Sequence, residues 1–378
     1  MGFYRYFLAI GVLISHVGGG NWVIARTAVF CFYFVSGFLI CRVLDTSYRG
    51  GIDRVAAFYV NRALRLLPLY LLIVFATFAI FSIRGSASFV RLGDGETVSM
   101  LYLGDFSTRL MDLLPLPVFD HSAPIPMLAG VGLGVMPQGW SIGIEVAFYM
   151  IAPILVLLAR RNVWPLVALA VAATAIFLIA SFANSDPNYV DNVIYRNAYT
   201  SAFMFFWGGV IYVVMRDTRF RISFIVGAPL VAAGLYYYYA WATRPPFATT
   251  DVSHDAFIFN ILLGIPLSAI VCLTVMPERL RRIESRVGDL SYGIYLNHFM
   301  VAGLLMWITE AVGREIFGHY SAIEFGLSTI VASSLVAALT FNLVERPVEI
   351  LRRKLKGRPG RETVPATVEP APVPTPAG

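Results

Sequence analysis

The chain has 378 residues, of which 58% are hydrophobic and 14% charged, and its formal net charge is +6. A soluble domain runs at roughly 45–50% apolar and about 25% charged, so this composition excludes water as the main solvent and calls for lipid. The positive excess is distributed by loop rather than gathered into a patch, which argues against nucleic acid and for contact with membrane lipids.

Apolar runs of spanning length fall at roughly 3–20, 22–44, 66–83, 140–159, 163–182, 198–215, 223–241, 256–275, 289–309 and 321–344. They predict an all-α polytopic membrane bundle of about ten transmembrane helices over residues 1–350. An even number of spans puts both termini on one side. With the N-terminus inside, 22 of the 29 Lys and Arg residues lie in inner segments, while Arg26, Arg84, Arg91, Arg109, Arg196, Arg244 and Arg314 lie outside. The positive-inside bias therefore predicts cytoplasmic termini in a bacterial inner membrane. The first run lacks a small-x-small cleavage site, so it is expected to be retained as a span. Cys31, Cys41 and Cys272 lie in or beside apolar runs, without metal or disulfide spacing, and are expected to be inert core residues.

The first span carries Arg5 and His16. Eleven residues at about 100° each bring both onto one helix face, roughly 16 Å apart along the axis. A cation at the inner mouth and an imidazole deeper on the same stripe suit a path for a long anionic substrate. A snorkelling arginine and a hydrogen-bonded core histidine explain the same pattern. Farther on, Arg62 and Arg65 are three residues apart and share a helix face. They suit either clamping of phosphates or anchoring at the inner surface. Residues 84–137 form the largest outer segment, punctuated by Pro115, Pro117, Pro124, Pro126 and Pro137. It is a candidate lid or acceptor-binding surface, because long irregular loops are uncommon unless functional.

The fourth span begins at Trp140 and places Ser141, Glu145 and Tyr149 at i, i+4 and i+8, a polar stripe on an apolar helix. A carboxylate at that depth needs a partner, and pairing with an arginine of another helix is its structural explanation. The ninth span puts Ser291, Tyr295 and His298 on one face at i, i+4 and i+7. Of the five histidines, His16 and His298 are the two inside spans. The tenth span closes on Glu345-Arg346-Pro347, where Glu345 is expected to pair with a basic residue. Residues 357–378, rich in Pro, Ala, Val and Thr, read as a disordered cytoplasmic tail.

In this order the motifs resemble the membrane acyltransferase 3 family. They are Arg5 with His16, Phe32-Tyr33-Phe34-Val35-Ser36-Gly37-Phe38-Leu39-Ile40, Arg62-x-x-Arg65-x-x-Pro68, Trp140-Ser141 with Glu145 and Tyr149, Leu290-Ser291-Tyr292 through His298, and Glu345-x-Pro347. The resemblance covers about residues 1–350. It implies transfer of an acyl group, often acetyl, from cytoplasmic acyl-CoA to a hydroxyl of a carbohydrate or lipid-linked sugar. No permanently bound cofactor is implied, and polysaccharide-assembly proteins are candidate partners. It makes Arg5 and His16 functionally important. On this reading His16, Glu145 and His298 are the candidate catalytic residues, Arg5, Arg62 and Arg65 hold the donor, and Ser36, Trp140, Ser141, Tyr149 and Tyr295 line the substrate site. Some members carry a soluble hydrolase-like domain after the bundle. Here a short tail follows it, so the reaction is expected to finish within the bundle or with a partner protein. A secondary transporter or flippase with a His/Glu proton relay is the rival reading, weakened by the lack of a visible internal repeat. A non-catalytic scaffold would leave the intramembrane polar residues without a chemical reason.

Overall fold

A computed structural model of the chain describes residues 1–17, 22–48, 50–84, 89–91, 97–99, 117–120, 127–130, 136–186, 189–243, 250–311 and 322–355. The expected tail at 357–378 lies outside the described residues. Ten helices coincide with the ten apolar runs: α1 (Gly2–Val17), α2 (Trp22–Ser47), α3 (Ile52–Arg84), α4 (Gly139–Arg161), α5 (Trp164–Ala183), α6 (Ala198–Thr218), α7 (Phe224–Thr243), α8 (Thr250–Leu273), α9 (Glu278–Ala311) and α10 (Ala322–Thr340). A π-turn at Phe341–Glu345 leads into α11 (Arg346–Leu355). The all-α class holds, with short strand pairs between helices.

The number of spans is less firmly set than their positions. Six helical stretches among the described residues are long and apolar enough to cross a bilayer: Trp22–Ser47, Ile52–Ile80, Gly139–Arg161, Trp164–Ala183, Ala198–Thr218 and Glu324–Lys354. Gly2–Val17, Phe224–Tyr238 and Phe257–Leu273 are apolar but shorter, and a helix needs about 20 residues to cross 30 Å of hydrocarbon. The outward faces agree with a lipid solvent. Met150, Ile154 and Leu157 of α4, and Trp164, Ile179 and Phe182 of α5, are all exposed. A band of large apolar side chains facing out would be an aggregation surface in water.

The basic residues of 279–286 belong to the opening turns of α9. The long segment 84–137 is not wholly irregular, since β1 (Phe89–Arg91) pairs antiparallel with β2 (Thr97–Ser99), and β3 (Pro117–Asp120) with β4 (Met127–Gly130). Glu345 interacts electrostatically with Arg65, Arg5 and Arg352, the basic neighbours expected for it, although its Oε1 has no hydrogen bond among the described residues. It ends the π-turn Phe341–Glu345 ahead of Pro347.

Helix α2 is the centre of the bundle. Its Phe30, Phe34 and Phe38 are fully buried. Tyr33 stacks on Phe205 of α6 at 4.7 Å between ring centroids, and Phe148 of α4 stacks on the other side of Phe205 at 4.3 Å. The α2–α6 crossing is close because two glycines meet there. A Cβ on Gly37 would overlap the Phe205 carbonyl, and one on Gly208 would overlap the Phe34 carbonyl. Small residues let backbones approach where lipid offers no hydrophobic drive between helices.

Contacts fix the relative directions of the helices. Residues 33, 36 and 45 of α2 meet 141, 145 and 160 of α4, so these two run parallel. Residues 5 and 16 of α1 meet 291 and 298 of α9, which also run parallel. At one end of the bundle Asp45, 1% exposed, accepts from Arg160 Nε at 3.1 Å, Arg216 Nη1 at 3.4 Å and the Tyr212 hydroxyl at 2.8 Å. This network ties the C-terminal ends of α2, α4 and α6 together. The three cysteines are buried and free, as expected.

Candidate active site

A cavity of about 820 Å3, including its open mouth, lies between α1, α2, α3, α4 and α9. Arg5, Arg62 and Arg65 line it together with Ser36, Ser141, Glu145, Tyr149, Ser291 and Tyr295. Eight of the eleven candidate residues read from the sequence therefore converge on one space.

The polar groups of this wall are partnered with one another. Ser36 Oγ donates to Glu145 Oε1 at 2.8 Å, and the Tyr149 hydroxyl donates to the same oxygen. Glu145 is thus held by two hydroxyls and makes no ion pair with an arginine among the described residues, although Arg5 interacts with it electrostatically. The i, i+4 spacing on α4 puts Tyr149 one turn from Glu145, while Ser36 arrives from the parallel α2. Ser141 Oγ lies 2.6 Å from the Tyr295 hydroxyl and donates to the Gln138 carbonyl at 3.0 Å. Arg5 Nη2 donates to Ser291 Oγ at 3.0 Å. Arg62 is 8% exposed, lies over Phe58 at 5.7 Å and donates to Asn61 Oδ1 at 3.0 Å.

His16 and His298 do not line the cavity. The shared stripe of Arg5 and His16 is therefore not one open path, and this corrects the expectation. The two imidazoles stack on each other where the last turn of α1 meets the middle of α9, with centroids 5.3 Å apart and planes at 17°. Phe299 packs 4.8 Å from His16 and 4.5 Å from His298, and the Trp22 ring meets His16 edge-on at 6.0 Å. His298 is fully buried, and its Nδ1 lies 2.8 Å from the Tyr295 carbonyl. A carbonyl can only accept, so this contact puts the hydrogen on Nδ1 and leaves a lone pair on Nε2. That Nε2, like His16 Nδ1, is buried without a hydrogen bond of good geometry. Tyr295 separates the two regions: its hydroxyl faces the cavity and its carbonyl holds His298, while Phe32 packs edge-on against its ring at 6.0 Å.

Trp140, the remaining candidate, also lies away from the cavity. It packs at 4.5 Å against Tyr195, beyond which Asn197 caps α6 by accepting from the Tyr199 amide at 2.9 Å. Several participants were not singled out in the sequence. Gln138 donates to the Leu296 carbonyl at 2.6 Å, joining the entry of α4 to α9. Tyr33 and Tyr292, present in the quoted motifs but given no role there, line the cavity, and Tyr292 donates to the Leu66 carbonyl at 3.0 Å. Tyr33 could have been given one, since it stands three residues before Ser36 on the same helix face. Arg352 could not. It comes from α11 to share Asn61 Oδ1 with Arg62, at 3.1 Å.

Known proteins match the whole of this frame. The family model for the acyltransferase domain, acyltransferase 3, matches residues 3–343. Nodulation protein 10 of Rhizobium leguminosarum bv. viciae is 28% identical over 392 residues, covering 94% of each chain. A putative peptidoglycan O-acetyltransferase of Bacillus subtilis (strain 168) is 20% identical over 362 residues, covering 91% of this chain and 54% of the relative, so the chain spans about half of that protein. No solved structure matches. A helical membrane bundle whose motif residues gather around one cavity, matched by the family model almost end to end, establishes that the chain belongs to the acyltransferase 3 family.

Proposed function

We propose that the protein transfers an acyl group, acetyl in the simplest case, from acyl-CoA to a hydroxyl of a carbohydrate or lipid-linked sugar. The observation that carries this reading is the gathering of Arg5, Arg62 and Arg65 on one cavity whose wall, at Tyr295, adjoins the stacked His16 and His298. Acyl-CoA carries several phosphate charges, and planar guanidinium groups bind them well. The nucleotide end belongs at the arginine-rich mouth, with the pantetheine arm directing the thioester inward to Tyr295, whose carbonyl holds His298. The name of the Bacillus subtilis relative supports an O-linked carbohydrate acceptor.

The chemistry then falls to the histidine pair. An imidazole nitrogen with a free lone pair takes the proton of the acceptor hydroxyl as its oxygen attacks the thioester carbonyl carbon. An O-acyl bond forms, the carbon–sulfur bond breaks, and the CoA thiolate leaves and is reprotonated. Glu145, held by Ser36 and Tyr149, orients donor or acceptor in the cavity. Incubating the purified protein with labelled acetyl-CoA and a glycan acceptor tests the reading: label on the glycan and free CoA thiol are expected, and neither would overturn it.

The loop charge bias supports a cytoplasmic donor and a cavity mouth on the inner side. A single cysteine introduced at position 94 is then labelled by an impermeant reagent in intact cells. Labelling only after permeabilisation would reverse the direction of transfer.

A further inference from the structure

At the end of the bundle opposite the arginine-lined cavity, two arginines share one carboxylate. Arg26 Nη2 lies 3.4 Å from Asp191 Oδ1, and Arg196 Nη2 lies 2.8 Å from Asp191 Oδ2. Aromatic faces hold both cations. Arg26 sits 5.4 Å over Tyr195 and 5.8 Å over Trp22, and Arg196 sits 5.8 Å over Trp140. Aromatic rings fix and partly desolvate a guanidinium without neutralising it. The cluster therefore keeps one positive charge in excess, and both Nε–H groups are buried with no acceptor among the described residues. The side chains remain 21% and 25% exposed, so a ligand can reach them.

The chemistry lies one ring away. Trp22, 36% exposed, lies against both Arg26, at 5.8 Å, and the His16 imidazole, at 6.0 Å. We propose that this end is the acceptor site, and that it takes a carbohydrate carrying an anionic group: the anion on Arg26 and Arg196, the sugar ring against Trp22, and a hydroxyl directed to the histidine pair. The excess charge selects the anion, and the exposed part of Trp22 offers apolar surface for the C–H groups of a sugar ring. Trp140 and Tyr195, both buried, hold the arginines from behind. The inference rests on the acyltransferase reading for its chemistry but not for its binding.

The test uses the full chain in lipid nanodiscs with three probes: trigalacturonate, the neutral trisaccharide galactotriose, and a monoglucosyl undecaprenyl phosphate. Trigalacturonate or the lipid-linked phosphate should bind at least about tenfold tighter than galactotriose, since each contact to a charged group is strong. Whichever of the two shows the preference names the source of the anion, a sugar carboxylate or a carrier phosphate. R26Q and R196Q should each lose that preference, and R26K should restore part of it. Acetyl-CoA binding, measured on every variant, certifies the fold. Equal binding of all three probes, or an unchanged preference in variants that still bind acetyl-CoA, overturns the site. CoA release is followed separately. Arginine-dependent binding without any CoA release would sink the acyltransferase reading and leave the anion site standing, whereas acylation of galactotriose alone would do the reverse.

Discussion

The two ends of the α1–α9 pair carry similar residues in sequence and differ in what those residues have left to give. At the cavity, Ser36, Ser141, Glu145, Tyr149, Ser291 and Tyr295 are all hydrogen-bonded to one another or to backbone carbonyls and to Arg5. That wall is preorganised, and it can orient a ligand without first rearranging. Beyond Tyr295, His16 Nδ1 and His298 Nε2 are buried without a hydrogen bond of good geometry among the described residues. Such an atom is costly, and the described spans hold others, among them Thr77 Oγ1, Ser201 Oγ, Asn297 Oδ1 and Glu345 Oε1. What sets the histidines apart is that two imidazoles, each able to give or take a proton, stack in one buried place. The lesson is that a polar stripe in a span does not by itself separate binding from chemistry; the neighbours that each residue meets do.

The largest expected effect breaks this comparison at the histidines. His16→Ala should lower acyl transfer about 10²–10⁴-fold while acyl-CoA affinity holds, because the imidazole lies outside the cavity. Single-turnover rates alongside donor titration would show it. His16→Gln keeping most of its turnover would pass the proton transfer to His298, whose free Nε2 is the better-defined lone pair. The converse effect belongs to the cavity. Replacing Arg62 and Arg65 together with Gln should weaken acyl-CoA binding by about 1.5–3 kcal/mol per lost charge-assisted contact. Calorimetric affinity unchanged in a correctly inserted double variant would assign both residues to anchoring.

Smaller effects test the frame that holds the two ends in register. Gly208→Leu forces side-chain atoms into the Phe34 carbonyl and should lower stability by about 1–3 kcal/mol. Gly51→Ala, with nothing within 4 Å of the added carbon, is the control. Thermal unfolding in detergent separates the two, and an equal response would mean that the α2–α6 approach is not tight. Asp45→Asn should have the smallest effect, about 1 kcal/mol, since Arg160 and Arg216 are 28% and 23% exposed and can turn to water once their partner is neutral. A loss of several kcal/mol would show that the network is screened far less than its exposure implies.

The positions of the helices were legible in the sequence because lipid imposes a simple rule: twenty apolar residues in a row must be helical to satisfy their own backbone. Each of the ten runs coincides with a helix, and the residues of the cavity wall stood out because a polar side chain in hydrocarbon needs a reason. Helical periodicity likewise put Glu145 with Tyr149, and Tyr295 with His298, on common faces. Which faces meet was beyond it. The pairing of Ser36 with Glu145, of His16 with His298, and of Arg26 with Arg196 through Asp191 joins residues far apart in the chain, through helix directions and crossings set by glycine contacts and aromatic packing. Periodicity along one helix gives an angle but no neighbour. Only the tertiary structure decided that of Arg5 and His16, on one stripe of one helix, the first lines the cavity and the second stacks on His298 outside its lining.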